Sequence, residues 1–345
     1  MARIALDAMG GDFAPHAPVA GALLALAELD STHSVQLVGK SAVITETLDG
    51  LIAGEHRTLA GHRDRISVVE APDVIEMSEK PLAAVRGKPH SSMNIGLKLQ
   101  VDGASEAFVS AGNTGAQMAA STLLLKLHPG LTRPAIATLF PTARQPLVVL
   151  DSGANVDCSA RELLQFAWLG GVYAECVLGR ENPVIGLLSI GEEAEKGNAV
   201  TKEANALFRA AGFTFHGNVE GRDLPAGSND RGPIDVVVCD GFVGNVVLKF
   251  YEAVMPMIIS MIKREAGIDP TALSRSLSAL DYSEYGGAPL LGVRGVSVIS
   301  HGKSSPRAIK NAVKVAVRAV DSHMDTLMGE RLGQAAAQTP DQVPA

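Results

Sequence analysis

Five loops hold the polar residues best suited to chemistry in this 345-residue chain. Each follows an apolar run rich in β-branched residues and leads into a helical pattern. The first contains Asp7, Gly10, Gly11 and Asp12, and the second, after Phe108-Val109-Ser110, contains Gly112, Asn113, Thr114 and Gly115. The third brings Asp151, Gly153, Asn155 and Asp157, and the fourth Gly191, Glu192, Glu193, Glu195, Lys196, Gly197 and Asn198. The fifth brings Asp240, Gly241, Gly244 and Asn245. Exposed backbone N–H groups beside a helix N-terminus suit an anion. Gly, Asn and Asp are also the ordinary residues of turns and helix caps, so one such loop says little. Five at equivalent positions point to an anion-binding site.

The anion is not marked as a nucleotide. The first loop is not G-x-G-x-x-G, and His301-Gly302-Lys303-Ser304 resembles the end of a Walker A motif but has Ser297 where its first Gly belongs. Groups able to hold a phosphate are present: Lys80, Arg86 and Lys88 with Ser91 and Ser92, then Lys196, then Lys303, Ser304 and Ser305. Most lysines are solvated surface charges; Lys196 stands apart because it lies between a strand end and a helix start. Asp7, Asp151 and Asp240 each end a strand pattern. They either hold a divalent metal or accept hydrogen bonds from neighbouring loop amides, and the frequency of Asp at caps favours the second. The chain carries no Gly-x-Ser-x-Gly and no Ser–His–Asp signature, so no covalent acyl-enzyme is expected.

These loops need a scaffold that brings strand ends together. Strand patterns occur at 4–7, 35–39, 66–70, 108–110, 146–151, 184–190, 234–240 and 293–300. Helical patterns cover 15–29, 116–126, 160–178, 199–211, 245–264 and 306–328, whereas 72–93 reads as charged and irregular. The alternation predicts an α/β fold, a mostly parallel open sheet with helices on both faces, binding ligands beyond the carboxyl ends of its strands. One two-lobed domain over 1–328 is expected, with a frayed tail at 329–345.

Composition narrows the function. A 46% hydrophobic chain of this length can bury a large core. Aromatics at 4% and a net charge of −7 speak against nucleic acid as a partner. Cys158, Cys176 and Cys239 have neither zinc nor disulfide spacing and fit a reducing compartment. The N-terminus reaches Asp7 too soon for a signal peptide, and no apolar run is long enough to span a bilayer. A cytoplasmic location is expected.

At the loop residues the sequence resembles the bacterial phosphate acyltransferase family, PlsX. The matching segments are Asp7-Ala8-Met9-Gly10-Gly11-Asp12, Lys80-Pro81 with Arg86 and Lys88, Ser91-Ser92-Met93 and Ser110 to Ala116. They continue with Leu150 to Asn155, Lys196-Gly197-Asn198, Asp240 to Asn245 and Tyr285 to Gly292. The likeness covers about residues 1–328, and Ser300 departs from it where the family usually has Gly. It implies a fold like the phosphate acetyltransferases and isopropylmalate dehydrogenases, a homodimer, and transfer of an acyl group from acyl carrier protein (ACP) to inorganic phosphate. The product would feed the membrane glycerol-3-phosphate acyltransferase PlsY.

Phosphate is already nucleophilic and a thiolate leaves readily, so positioning and charge stabilisation suffice, with no metal or organic cofactor. Lys196 is expected to neutralise phosphate or the oxyanion, and Asn245 to donate to the carbonyl oxygen. Ser91, Ser92, Asn113 and Thr114 are expected to hold phosphate. Gly10, Gly11, Gly115, Asn155, Asn198, Gly244, Lys303 and Ser304, with the three strand-end aspartates, complete the expected binding set. His301 either protonates the leaving thiolate or is a capping or core histidine.

An apolar helical protrusion is expected near 246–275, with Lys249, Glu252, Ser260 and Lys263 on one polar stripe and a kink at Pro256. Its apolar side is either a core or dimer contact or rests on a membrane surface through Met257, Ile258, Met261 and Ile262, with Lys263 and Arg264 at headgroup level; the family's peripheral membrane association favours the latter as much as the former. Because ACP is acidic, a basic face is needed: Arg307, Lys310, Lys314 and Arg318 form one helix stripe, and Lys263, Arg264 and Arg275 a competing patch. A solvated face is the alternative for the stripe. Rival readings are a short-chain acyl-CoA phosphotransacetylase, an NAD-linked decarboxylating dehydrogenase with metal on the three aspartates, and a non-catalytic anion- or acyl-binding protein.

Overall fold

The structure is a computed structural model, and it describes residues 1–265 and 286–338. The chain divides into two compact units. Unit 1 is Met1–Leu127 with Ser283–Asp325, and unit 2 is His128–Tyr282 with Thr326–Ala345.

In unit 1 the strands lie in the order Ile66–Glu70, Ser34–Gly39, Arg3–Asp7, Ala107–Ser110, Val296–Ile299 and Ala288–Leu291. All pair in parallel except the last, which runs antiparallel to Val296–Ile299. Ala107–Ser110 and Val296–Ile299 are buried along their whole length, which is why they read as continuous apolar runs rather than alternating ones. The helices His16–Glu28 and Pro306–Asp321 meet closely at Gly21, where a Cβ would stand 2.6 Å from the Ile309 Cβ.

In unit 2 the order is Thr138–Phe140, Leu147–Leu150, Val236–Val238, Ile185–Leu188 and Phe215–Val219. Only Thr138–Phe140 is antiparallel to its neighbour. Helix Ala160–Leu178 begins with a reciprocal capping box between Ser159 and Glu162 and ends at Gly179 in the left-handed conformation (φ 66°). Helix Gly241–Glu265 packs Val247, Leu248 and Tyr251 onto a core of Phe140, Leu147, Val149, Val237 and neighbours. Tyr251 sets its ring edge-to-face on Phe140 at 4.9 Å.

Several expectations need correction. The segment 72–93 is not irregular: it holds helix Pro81–Gly87 and the start of Ser92–Val101. The closing helix does not run unbroken from 306 to 328 but stops at Asp321 and resumes at Met324, with His323 in the left-handed region (φ 53°). Of the expected tail at 329–345, the part to Gln338 belongs to helix Met324–Gln338, where Leu332 is buried and Arg331 pairs with Glu175 at 3.4 Å, and 339–345 lie outside the described residues. Phe215–Val219 and Ala288–Leu291 are strands that the sequence patterns did not reveal. The helix assignment continues through Pro256, whose side chain, like those of Lys263 and Arg264, lies outside the described ones. Arg275, Tyr285 and the outer part of the 246–275 protrusion also lie outside the described residues.

Candidate active site

In each unit the polar loops follow the carboxyl ends of neighbouring parallel strands. Register places Leu6 beside Val109 and Ser110 beside Ile299, so the loops starting at Asp7, Ser110 and Ser300 emerge side by side in unit 1.

Asp7 is 3% exposed, and burial pushes its carboxyl above the ordinary carboxylate range. Hydrogen bonds oppose that shift: Ser110 Oγ donates to Asp7 Oδ2 at 2.7 Å, the Met9 amide donates to Oδ1 at 3.0 Å, and Ser92 also bonds it. Ser110 Oγ in turn accepts from the Gly112 amide at 3.0 Å. Gly10 is tight in this cluster, since a Cβ there would stand 2.7 Å from Asp7 Oδ2 and 2.8 Å from the Gly112 nitrogen. Gly11 (φ 97°) completes the turn, and the Asp12 amide donates to the Gly302 carbonyl at 2.7 Å. Asp7 therefore orients loop amides.

Ser91 is the buried N-cap of Ser92–Val101, and its Oγ accepts from the Asn94 amide at 3.3 Å. Asn113 caps Thr114–Leu124 through the Ala116 amide, 3.0 Å, and its Nδ2 faces the carbonyls of Glu76, Met77 and Glu79 at 3.1–3.3 Å. Its side chain is thus fully engaged in holding the 76–79 segment against the helix start. Thr114 is exposed at the first helical position, and Gly115 leaves room for the Pro81 ring. Lys88 is held by Glu79 at 2.6 Å and by the Val74 carbonyl, whereas Lys80 and Arg86 are exposed. His301 and Lys303 are exposed and Ser304 is 9% exposed. His301 Nδ1 accepts from the Lys303 amide at 3.1 Å, which leaves the proton of the neutral ring on Nε2.

Unit 2 repeats the device. Asp151 is fully buried, and burial again raises its carboxyl. Its Oδ1 accepts from the amides of Ile136, 2.9 Å, and Ala154, 3.1 Å; its Oδ2 accepts from the Asn155 amide, 2.6 Å, and Asn155 Nδ2, 2.9 Å. Asn155 returns its carbonyl to the Gly241 amide at 2.7 Å, tying the third loop to the fifth. Asp240 Oδ1 accepts from the Val243 amide at the start of helix Gly241–Glu265. Asn198 caps helix Ala199–Ala210 through Thr201 at 2.8 Å.

In unit 2, Lys196 and Asn245 differ from the capping residues Asp151, Asp240 and Asn198. Both are exposed, and neither has a side-chain hydrogen bond or ion pair among the described residues. Lys196 is unpaired although Glu192, Glu193 and Glu195 share its loop. Arg222 and Arg231 draw the Glu192 carboxylate to themselves at 3.5 and 3.7 Å. Asn245 lies against Gly153 (φ 122°), where a Cβ would stand 3.4 Å from the Asn245 Cβ. The loops of Lys196 and Asn245 follow the adjacent strands Ile185–Leu188 and Val236–Val238.

Cys158 and Cys239 are poor nucleophiles. Burial and the Asp151 charge push the Cys158 thiol up to about 12, and Cys239 is likewise raised by burial. No cluster of three or more His, Cys, Asp or Glu gathers among the described residues.

Beyond the loops, the basic stripe is partly consumed: Lys310 and Lys314 both pair with Glu28, at 2.7 and 2.5 Å. Helix Gly241–Glu265 exposes Phe242, Val246, Phe250, Met257, Ile258 and Met261, and Ile262 is half-buried, so among the described residues this side makes no core contact. No described helix is long and apolar enough to cross a membrane. Ser110, Asn205 and Asn218 are structurally important residues missing from the sequence-derived set. Ser110 had a signal, ending its strand as Asp7 does; the two asparagines had none.

The class is set by fold and strand-edge loops together: an α/β protein of the phosphotransacetylase fold. The EutD phosphotransacetylase from Staphylococcus aureus superimposes with a TM-score of 0.58 over 92% of this chain and 94% of that one, at 14% identity. A family model described as "Fatty acid synthesis protein" matches residues 2–326. Phosphate acyltransferases from Desulforamulus reducens and Heliobacterium modesticaldum are each 48% identical, over 321 and 320 residues. These alignments span 90% of this chain and 92% and 91% of the relatives. The chain belongs to the phosphate acyltransferase family of fatty acid synthesis proteins, and it is an acyltransferase.

Proposed function

We propose that the enzyme transfers a fatty acyl group from acyl-ACP to inorganic phosphate, giving acyl phosphate and free ACP for phospholipid synthesis. A phosphate oxygen attacks the thioester carbonyl carbon, the C–S bond breaks, and the proton of hydrogen phosphate ends on the departing thiol. The supporting observation is the pair Lys196 and Asn245, a cation and an amide without side-chain partners among the described residues, on loops that follow adjacent strands and beside the engaged caps Asp151, Asp240 and Asn198. Lys196 offsets the charge of phosphate or of the oxyanion, and the Asn245 amide donates to the carbonyl oxygen. The raised thiols of Cys158 and Cys239 favour direct attack over an acyl-cysteine.

Within unit 1, Asp7 and Asn113 shape the Gly10, Gly112 and Thr114 loops, whose amides, with Ser91, Ser92, His301, Lys303 and Ser304, form an anion-binding surface of that unit. The enzyme works as a cytoplasmic homodimer on the membrane surface, with Met257, Ile258, Met261 and Ile262 at the lipid, and passes its product to PlsY.

The deciding assay supplies long-chain acyl-ACP, acyl-CoA and phosphate and follows acyl phosphate. Product from acyl-ACP is the expected result. Activity with CoA thioesters alone would transfer the reading to a phosphotransacetylase, and binding without product to a non-catalytic carrier.

A further inference from the structure

We infer that Asn218 is a positioning residue for Lys196, an inference that rests on the role proposed above for that lysine. Asn218 lies on strand Phe215–Val219 and is completely buried. Its Nδ2 donates to the Glu193 carbonyl at 2.7 Å, and the same carbonyl accepts from the Lys196 amide at 3.0 Å. One oxygen therefore joins the strand interior to the turn that carries the unpaired cation.

The amide orientation is fixed by chemistry. A main-chain carbonyl only accepts, so Nδ2 must face Glu193 and Oδ1 must face Asn205. Asn205, 2% exposed on helix Ala199–Ala210, then donates through Nδ2 at 2.7 Å and accepts from Arg209 Nε at 2.9 Å. The relay Arg209–Asn205–Asn218–Glu193 has one allowed direction. A buried polar chain satisfied at every link holds its members in place, and one missing donor leaves a buried acceptor unpaired. Arg231 reinforces the same point: its Nη2 donates to the Asn218 carbonyl, and it also faces Glu192. Both devices act on the 191–197 loop, one fixing the turn and the other withdrawing a carboxylate from the lysine.

Asn218→Asp keeps the shape but sets a carboxylate oxygen against the Glu193 carbonyl. The test is a double-mutant cycle on the full chain with acyl-ACP and phosphate, using Asn218→Asp, Lys196→Ala and the pair. If Asn218 acts through Lys196, its substitution lowers kcat/KM about tenfold to hundredfold in the parent chain and less than about threefold in Lys196→Ala. Equal losses in both backgrounds, with Lys196→Ala itself impaired, overturn the positioning role and leave the lysine's role intact. Full activity of Lys196→Ala overturns the lysine's role and this inference with it. If Asn218→Asp lacks a cooperative thermal transition, Asn218→Ser, which removes the amide without adding charge, takes its place in the cycle and is read by the same criteria.

Discussion

Gly244 packs directly against Asp151: a Cβ at Gly244 would collide with the Asp151 carbonyl oxygen. The neighbour is main chain and cannot swing aside. Gly244→Ala is therefore expected to cost about 1–3 kcal/mol in unfolding free energy, the usual range for overpacking. Asn245, the next residue, should shift with it. Chemical denaturation and turnover of the same variant check this; unchanged stability would show that the contact relaxes freely.

Lys196→Ala and Asn245→Ala should separate activity from stability. Both side chains are exposed and unpaired among the described residues, so unfolding free energy should move by less than about 0.5 kcal/mol. Turnover at saturating phosphate should fall about 10²–10³-fold for each, the scale of a lost oxyanion donor. Near-normal turnover in both would remove them from the chemistry.

Asp7 should make stability depend on pH in an unusual direction for a carboxylate. Its pKa is raised from 3.8 by burial, so the folded state holds the proton more tightly than the unfolded one. The stabilising contribution is complete below the unfolded value and is lost as pH rises through the folded one. Asp7→Asn cannot ionise, so its melting temperature relative to the parent protein should improve progressively as pH is raised through that window. A difference independent of pH would show that the loop hydrogen bonds cancel the burial effect.

Membrane binding should depend on the exposed side of helix Gly241–Glu265. Ile258→Asp with Ile262→Asp is expected to abolish co-flotation with anionic liposomes while leaving the thermal transition of the protein in place. Undiminished flotation would assign this side to a protein contact.

The parallel sheet and its strand-end loops were legible because buried strands read as short apolar runs, and several of them, such as Arg3–Asp7, Ala107–Ser110 and Leu147–Leu150, stop at Asp or Ser. The loops carrying Lys196 and Asn245 were legible in the same way, as polar stretches beyond apolar runs. Phe215–Val219 was not, because Gly217 and the buried Asn218 interrupt its pattern, and Asn218 is satisfied by Asn205 and Glu193, which no local spacing reveals. Asn113 looked like an anion ligand because cap chemistry and anion chemistry use the same residue type. Only the carbonyls of Glu76, Met77 and Glu79 around its amide show what that side chain is doing. The stripe on Pro306–Asp321 looked free because Glu28 lies far away in sequence.

Unit 1 closes its sheet with Val296–Ile299, which enters between Ala107–Ser110 and Ala288–Leu291. During synthesis the first four strands leave the ribosome long before their neighbour exists. Until then Ala107–Ser110 is an open edge, buried in the finished protein yet bare in the nascent one. All of unit 2's sheet is made in that interval, so it can assemble while unit 1 waits. The order of translation thus makes Ala107–Ser110 wait longest for its neighbour, with the Ser110 end of the Asp7–Ser110 pair at the edge of the growing sheet until Val296–Ile299 is made.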